Sequence, residues 1–233
     1  MTRQERITKI LERIREIAPD PLPRDKAVLD HTPAVKVINS VLSLGMKYRT
    51  VIEPKLDAFQ EKTPDVRQVT ELAAFIEEDY QTPIDFLNKE FNYKPKPKSI
   101  RKANAINSIC EKLCGIINAS PSVPEEDAIR QWALQAKPEG YRIWNIKEFR
   151  LTGFQWLRVL FGAGTSKPDR RILNFLADTL NEKFPDSHKK KLEAVDLIEE
   201  ASARSEFSAR DIDRIIWGHY DDPSPACTAT DGY

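Results

Sequence analysis

An aspartate that follows a lysine and a proline is the residue of this chain best placed to do chemistry. In Lys167-Pro168-Asp169 the proline forces Lys167 out of the α region. Asp169 then stands where an N-cap oxygen would accept backbone N–H bonds from the next helix, a contribution of about 1 kcal/mol. Arg170 and Arg171 follow directly, and they could hold a phosphate or lie on the polar face of that helix.

Two further groups of residues have side chains suited to nucleic acids. A basic cluster without an acidic neighbour could contact phosphates, or it could be a solvated connector and helix start: Lys94, Lys96, Lys98, Arg101 and Lys102. Three tryptophans could stack on a base, or they could belong to the core: Trp144, Trp156 and Trp217.

Metal-binding patterns are missing from the sequence. Cys110 and Cys114 are one helical turn apart and are expected to be buried, and Cys227 stands alone. No CxxC pair or four-cysteine cluster is present, and the three histidines are far apart in sequence. The sequence therefore predicts no metal, no iron–sulfur cluster and no cofactor.

The elements that must position these residues are helices. Apolar side chains recur at intervals of three and four residues from Ile7 to Ile216, and alternation typical of strands does not persist. Ser208 and Asp211 form the pattern of a capping box before the last of these helices. We therefore expect an all-α, compact multi-helix fold.

The expected organisation has three parts. An N-terminal helix occupies 1–27, a helical domain occupies 28–220 with an internal boundary near the proline-rich, basic stretch 93–98, and a disordered tail occupies 221–233. The chain has 36 lysines and arginines together and 36 aspartates and glutamates together, so its formal net charge is zero. Any nucleic-acid contact must therefore come from a local patch. No apolar run is long enough to span a membrane, so we expect no membrane partner and a cytoplasmic location.

The order of landmarks in this region resembles a known family. Thr152-Gly153-Phe154-Gln155-Trp156-Leu157 is similar to the start of a helix, Phe161-Gly162 is similar to its end, and Asp169 opens the next helix. This order resembles the helix-hairpin-helix base-excision DNA glycosylases, the endonuclease III-like superfamily. The closest resemblance is to an uncharacterised branch that carries Lys-Pro-Asp here, and residues 211–217 are similar to the closing helix of that branch.

The resemblance implies a glycosylase-like fold, double-stranded DNA as the partner and Asp169 as the catalytic carboxylate. In that chemistry the carboxylate faces a flipped-out nucleotide and stabilises the developing oxocarbenium charge or positions a water. The residues that the resemblance places in contact with nucleic acid are Lys147, Arg150, Thr152, Gly153, Lys167, Arg170 and Arg171.

The hairpin before this helix departs from the family pattern. The family has two glycines whose backbone amides approach a phosphate, and Lys147 and Phe149 match those positions. The Schiff-base lysine of bifunctional members matches Leu151, so lyase chemistry by that route is not expected. Two hypotheses follow: a monofunctional N-glycosylase acting on a damaged or unusual base, and a non-catalytic helical protein that acts in protein–protein interaction or regulation.

Overall fold

The predicted all-α class is confirmed. The computed structural model describes residues 1–22 and 30–221, and these ranges contain helices and connecting loops but no strand. The helices within them are α1 (Arg3–Ile17), α2 (Pro33–Leu42), a π-helical turn (Tyr48–Ile52), α3 (Glu53–Lys62), α4 (Val69–Asp79), α5 (Pro83–Phe91), α6 (Pro97–Asn118), α7 (Glu125–Gln135), α8 (Gly140–Trp144), α9 (Leu151–Leu160), α10 (Arg170–Leu180), α11 (His188–Ala203) and α12 (Ala209–Asp221).

The chain divides into two units, at points that differ from those expected. Unit 1 combines Met1–Arg24 with Gly164–Tyr233, and unit 2 is Asp25–Ala163. The N-terminal helix is therefore part of a larger unit rather than a separate segment. The stretch 93–98 lies inside unit 2, because Phe91 before it and Ala103 after it share one core. Of the tail predicted at 221–233, only Asp221 at the end of α12 lies within the described residues.

Unit 1 is built around an apolar stripe on each of its four helices. In α1, Ile7, Ile10, Leu11 and Ile14 are buried, and this helix packs against α10, α11 and α12. Each fully buried isoleucine or leucine contributes about 1.5–3 kcal/mol relative to an exposed one. The capping box at Thr2 contributes only about 1 kcal/mol. Packing rather than capping therefore holds α1 in this unit.

The predicted capping box of α12 is present in unit 1. The Ser208 N–H donates to Asp211 Oδ2, and the Asp211 N–H donates to Ser208 Oγ, both at 3.1 Å. These two bonds satisfy donors that the helix start leaves without an intrahelical partner. They fix the first residue of α12, the helix that carries Asp213 and Trp217.

Unit 2 is organised around α2. All ten residues of α2 are buried, and the helix contacts α3, α4, α6 and α9. A helix that is buried on all sides occupies such a central position. The carbonyl oxygens of Leu42, the last residue of α2, and of Leu44, two residues beyond it, each accept a hydrogen bond of 3.1 Å from Lys102 Nζ. Lys102 is therefore a buried helix cap, which corrects its place in the basic cluster predicted to contact phosphates.

Candidate nucleic-acid interface and candidate catalytic aspartate

A tight turn joins α8 to α9 in unit 2. Asn145 ends α8 with a left-handed backbone, φ 49°. The Phe149 N–H then donates to the carbonyl oxygen of Ile146 at 3.2 Å, and α9 begins at Leu151. The second left-handed residue of the turn is Glu148, with φ 69°. The residues matched to the family's glycines, Lys147 and Phe149, do not have positive φ, so the position that favours glycine lies between them.

The side chains of the turn divide into a buried anchor and exposed charges. Phe149 is buried, and its ring lies against Gly153, where an added Cβ would stand 2.7 Å from Phe149 Cδ2. Lys147, Glu148 and Arg150 are exposed. Gly153 is thus required by the packing of Phe149, which is a structural reason for a residue that the resemblance placed at the DNA. Sequence alone suggested no such contact.

An aromatic cluster fixes α8 and the turn against the rest of unit 2. Trp144 stacks on Trp132 at 4.9 Å between ring centroids with 16° between the planes. Phe154 meets both indoles edge-on, at 5.7 and 5.3 Å. Trp144 therefore belongs to the packing of α7, α8 and α9. Its neighbour Ile143 is 85% exposed, so α8 also presents an apolar side chain to solvent.

An ion pair brings two basic segments of unit 2 together. Arg101 Nε lies 2.7 Å from Glu148 Oε1, and this contact places the start of α6 beside the turn. We call the resulting set of residues the basic surface: Lys94, Lys96, Lys98, Arg101, Lys147 and Arg150. Its members are exposed except for Arg101, which is half-buried. The two segments were separate candidates in the sequence, and the structure unites them.

The start of α6 is electrostatically suited to an anion. Its first turn has no acidic residue, and its N-cap, Lys96, makes no side-chain hydrogen bond to the helix. Lysines at the positive end of a helix dipole are unfavourable unless negative charge is nearby. A phosphate would satisfy both the lysines and the helix end.

Asp169 is the N-cap of α10 in unit 1, as predicted. Its Oδ1 accepts hydrogen bonds from the Arg171 N–H at 2.9 Å and from the Ile172 N–H at 3.3 Å. Within the ranges that the structure describes, Oδ2 accepts no hydrogen bond, and the residue is partly exposed. The carboxylate is therefore fixed through one oxygen, and no described residue donates a hydrogen bond to the other.

Lys167 and Asp213 accompany Asp169. The Lys167 N–H donates to Asp213 Oδ1 at 2.7 Å. Burial lowers the pKa of Lys167, and the negative charges of Asp169 and Asp213 act in the opposite direction. Asp213 was not among the predicted site residues. The sequence does mark Asp213, because it is an acidic residue within the apolar stripe of α12. Ala209 and Ile216, on the same face of the helix, are buried.

The two arginines after Asp169 have different surroundings. Arg170 is exposed. The guanidinium of Arg171 lies 4.5 Å from the ring centroid of Trp217, a cation–π contact between α10 and α12. Trp217 therefore contacts Arg171, one of the residues predicted to bind nucleic acid.

The predicted site residues fall into two groups, one in each unit. Asp169 lies in unit 1 with Lys167, Arg170 and Arg171. The others belong to the turn and the first residues of α9 in unit 2: Lys147, Arg150, Thr152 and Gly153.

Metal binding and thiol chemistry gain no support from the described ranges. No group of three or more His, Cys, Asp or Glu side chains there is placed to hold a metal ion. Burial raises the pKa of both Cys110 and Cys114, which favours the unreactive thiol form. Cys227 lies outside the described residues. None of the described helices is long and apolar enough to cross a membrane.

Comparison with known proteins identifies one family. A family described as "Domain of unknown function (DUF8548)" matches residues 9–221. No curated protein and no solved structure matches the chain. The family match spans both units and every candidate site residue. The chain therefore belongs to the family of the domain of unknown function DUF8548.

Proposed function

We propose that this protein binds double-stranded DNA through the basic surface and acts as a monofunctional N-glycosylase of the helix-hairpin-helix type. The observation that carries the proposal is the Arg101–Glu148 ion pair, which makes one surface from the start of α6 and the turn before α9. The formal net charge of the chain is zero, so DNA binding requires such a local concentration of positive charge.

The turn and its neighbours supply contacts of the kinds that duplex DNA requires. Lys147 and Arg150 are exposed cations of the turn, of the kind that contacts phosphates. Ile143 on α8 is largely exposed to solvent and can enter a groove as an apolar contact. The aromatic cluster beneath α8 makes this presentation rigid, which lowers the entropy lost on binding.

Asp169 carries the proposed chemistry. Water attacks C1′ of the sugar, the bond from C1′ to the base nitrogen breaks, and the base leaves with the bonding electrons. A carboxylate near C1′ stabilises the oxocarbenium charge and accepts the proton that the attacking water loses. The geometry that supports this role is a carboxylate fixed through Oδ1 by two backbone N–H groups while Oδ2 accepts no hydrogen bond within the described residues.

The experiment compares wild type with Asp169→Asn on a panel of damaged duplexes. Asparagine preserves the cap, so the variant is expected to fold and to bind DNA like wild type. We expect glycosidic cleavage to fall by about 100-fold or more. A wild type that neither cleaves any duplex nor binds DNA in a salt-dependent manner would refute the proposal.

One observation favours the alternative, a non-catalytic protein of this fold that acts in protein–protein interaction or regulation. Glu148 places a negative charge in the turn where a phosphate would approach, and a non-glycine residue occupies the left-handed position there. Wild type that neither binds duplex DNA in a salt-dependent manner nor cleaves any of the panel would support this alternative over the enzyme.

A further inference from the structure

The segment that leads into Asp169 is buried in unit 1. Thr165 and Ser166 are 1% and 0% exposed, and Pro168 is also buried. A backbone N–H in such a segment needs a hydrogen-bond partner within the protein, because bulk water cannot supply one. The acceptors of the backbone donors from Lys167 to Asp169 therefore show what holds this turn in place.

The turn itself is closed by a short local hydrogen bond. The Asp169 N–H donates to the carbonyl oxygen of Lys167 at 2.7 Å, which is the two-residue step of a γ-turn. Pro168 is the central residue, and its ring fixes φ near the value that an inverse γ-turn requires. Proline has no N–H, so the remaining backbone donor of the turn is the Lys167 N–H.

That remaining donor reaches a different helix. The Lys167 N–H donates to Asp213 Oδ1 on α12 at 2.7 Å, and Asp213 is 8% exposed. Ile212 and Ile216 of α12 are fully buried in the core of unit 1, so the helix is held firmly by packing. The hydrogen bond therefore ties the turn before Asp169 to a fixed acceptor on α12.

Asp213 interacts with the charge of Lys167 as well as with its backbone. Burial lowers the pKa of Lys167, and the negative charges of Asp169 and Asp213 oppose this effect. A buried carboxylate is costly unless it is both paired and hydrogen-bonded. Lys167 supplies Asp213 with a hydrogen bond and with an opposite charge, so the two residues stabilise each other at the entrance to the turn.

We infer that Asp213 is a positioning residue that sets the place of the Asp169 carboxylate through Lys167. This inference rests on the proposed N-glycosylase activity and names a further residue on which that activity depends. Two N–H groups of α10 fix Asp169 Oδ1, and the bond to Asp213 fixes the turn that precedes it. A displacement of the carboxylate by about 1 Å would slow the reaction by about 100-fold.

The experiment measures kcat and KM on the duplex that wild type cleaves fastest. Asp213→Ala removes the acceptor, so kcat should fall by about 100-fold while KM stays within about twofold of wild type. Asp213→Asn keeps an oxygen acceptor at the same position, so its kcat should stay within about threefold of wild type. Asp213→Glu keeps the charge but moves the acceptor, so its kcat should fall as in Asp213→Ala.

The matched control breaks a hydrogen bond between α10 and α12 that lies near the other end of α10. The Tyr220 hydroxyl donates to Asp178 Oδ2 at 2.8 Å, and Tyr220→Phe removes this bond. The control leaves the turn before Asp169 intact, so its kcat and KM should match wild type. Wild-type kcat in Asp213→Ala, or an equal loss of kcat in Asp213→Asn or in the control, would overturn the inference while the proposed function still stands.

Amide hydrogen exchange provides a readout that requires no activity. Asp213→Ala should speed the exchange of the Lys167 N–H and also of the Arg171 N–H, which donates to Asp169 Oδ1, by about tenfold each. Both rates should be unchanged in Tyr220→Phe. Faster exchange at Lys167 alone would overturn the inference, because Asp169 would then keep its place without Asp213. A wild type that cleaves no duplex would refute the proposed function, and the exchange rates would still decide whether Asp213 positions Asp169.

Discussion

At the scale of the residue, Asp169 has two separable roles. Its Oδ1 caps α10, and the proposed chemistry requires the charge of the carboxylate. Asp169→Ala should lower the free energy of unfolding by about 1 kcal/mol because the cap is lost. Asp169→Asn should stay close to wild type in stability. Urea unfolding followed by circular dichroism measures both, and equal destabilisation by the two substitutions would show that the cap geometry is not the origin of the loss.

Glu148 is strained where glycine would not be. Its φ of 69° lies in the left-handed region, which costs a non-glycine residue about 1–2 kcal/mol. Glu148→Gly also removes the half-exposed ion pair with Arg101, worth about 0.5 kcal/mol. Relief of strain outweighs this loss, so the variant should be more stable than wild type. The variant should also bind duplex DNA more tightly, because the negative charge of Glu148 is removed from the turn.

The control for Glu148→Gly is Asn145→Gly, at a position with φ 49°. Asparagine tolerates the left-handed region better than glutamate, so its replacement should stabilise the protein less. Thermal unfolding and duplex titration of both variants provide the comparison. A destabilised Glu148→Gly would mean that the ion pair, rather than backbone strain, dominates at the turn.

Sequence reasoning succeeded at single residues where local chemistry decides the outcome. A proline before Asp169 and an amphipathic pattern after it were enough to predict the cap. Asp213 was missed because its role depends on the Lys167 N–H, 46 positions away in the chain. The position of the left-handed residue in the turn was also missed, because Glu148 carries no glycine signal.

At the scale of the element, the junction of the turn with α9 depends on a residue without a side chain. At Gly153 an added Cβ would lie 2.7 and 2.8 Å from the Phe149 ring and 3.1 Å from Leu44 Cδ1. Gly153→Ala should therefore destabilise unit 2 by about 1–3 kcal/mol through overpacking. The effect should appear in urea unfolding.

The control for Gly153→Ala is a glycine of α6. An added Cβ at Gly115 meets nothing within 4 Å. Gly115→Ala should stabilise the protein by about 0.5–1 kcal/mol, since alanine is the better helix former. The account of the turn would fail if Gly153→Ala matched Gly115→Ala in sign.

The helices themselves were largely predictable, whereas their surroundings were not. The recurrence of apolar side chains predicted helices along the whole chain, and α6 begins at Pro97, within the basic stretch. Lys102 was grouped with its basic neighbours, because sequence proximity does not show which side of α6 faces α2. The ion pair between Arg101 and Glu148 joins elements that nothing in the sequence connects.

At the scale of the whole molecule, the two ends of the chain build one unit. The Arg6 guanidinium on α1 forms an ion pair with Glu193 Oε1 on α11 at 2.7 Å, and Lys190 Nζ lies 2.8 Å from Glu193 Oε2. The apolar stripe of α1 shows that this helix must pack, but it does not show on which partner. For this reason the sequence predicted a separate N-terminal helix.

The ionic tie between α1 and α11 predicts a pH dependence. Partial burial opposes ionisation of Glu193, but hydrogen bonds from Lys190 and Arg6 outweigh it and lower the pKa of this carboxyl. Because the pKa of Glu193 is lower in the folded protein than the ordinary value of 4.5, ionised Glu193 stabilises the fold at pH values above 4.5. This stabilisation is lost as the pH falls through the pKa that Glu193 has in the folded protein. Glu193→Gln should therefore cost up to about 1 kcal/mol at neutral pH.

The same variant should approach wild type in stability under acid conditions. Urea unfolding at pH 7 and at a pH below the folded pKa provides the test. A difference between Glu193→Gln and wild type that stayed constant with pH would indicate that packing, and not the charge of Glu193, connects the two helices.

The central claim is that the basic surface binds duplex DNA. The most direct measurement is the dependence of log Kd on log salt concentration for one duplex. It compares wild type, the double variant Lys98→Gln/Lys147→Gln, and the control Lys112→Gln, which alters an exposed lysine further along α6. We predict that the double variant binds more weakly and that its slope is reduced by about 2, one for each lost phosphate contact, while the control matches wild type. Binding without salt dependence, or equal loss in the control, would contradict the claim.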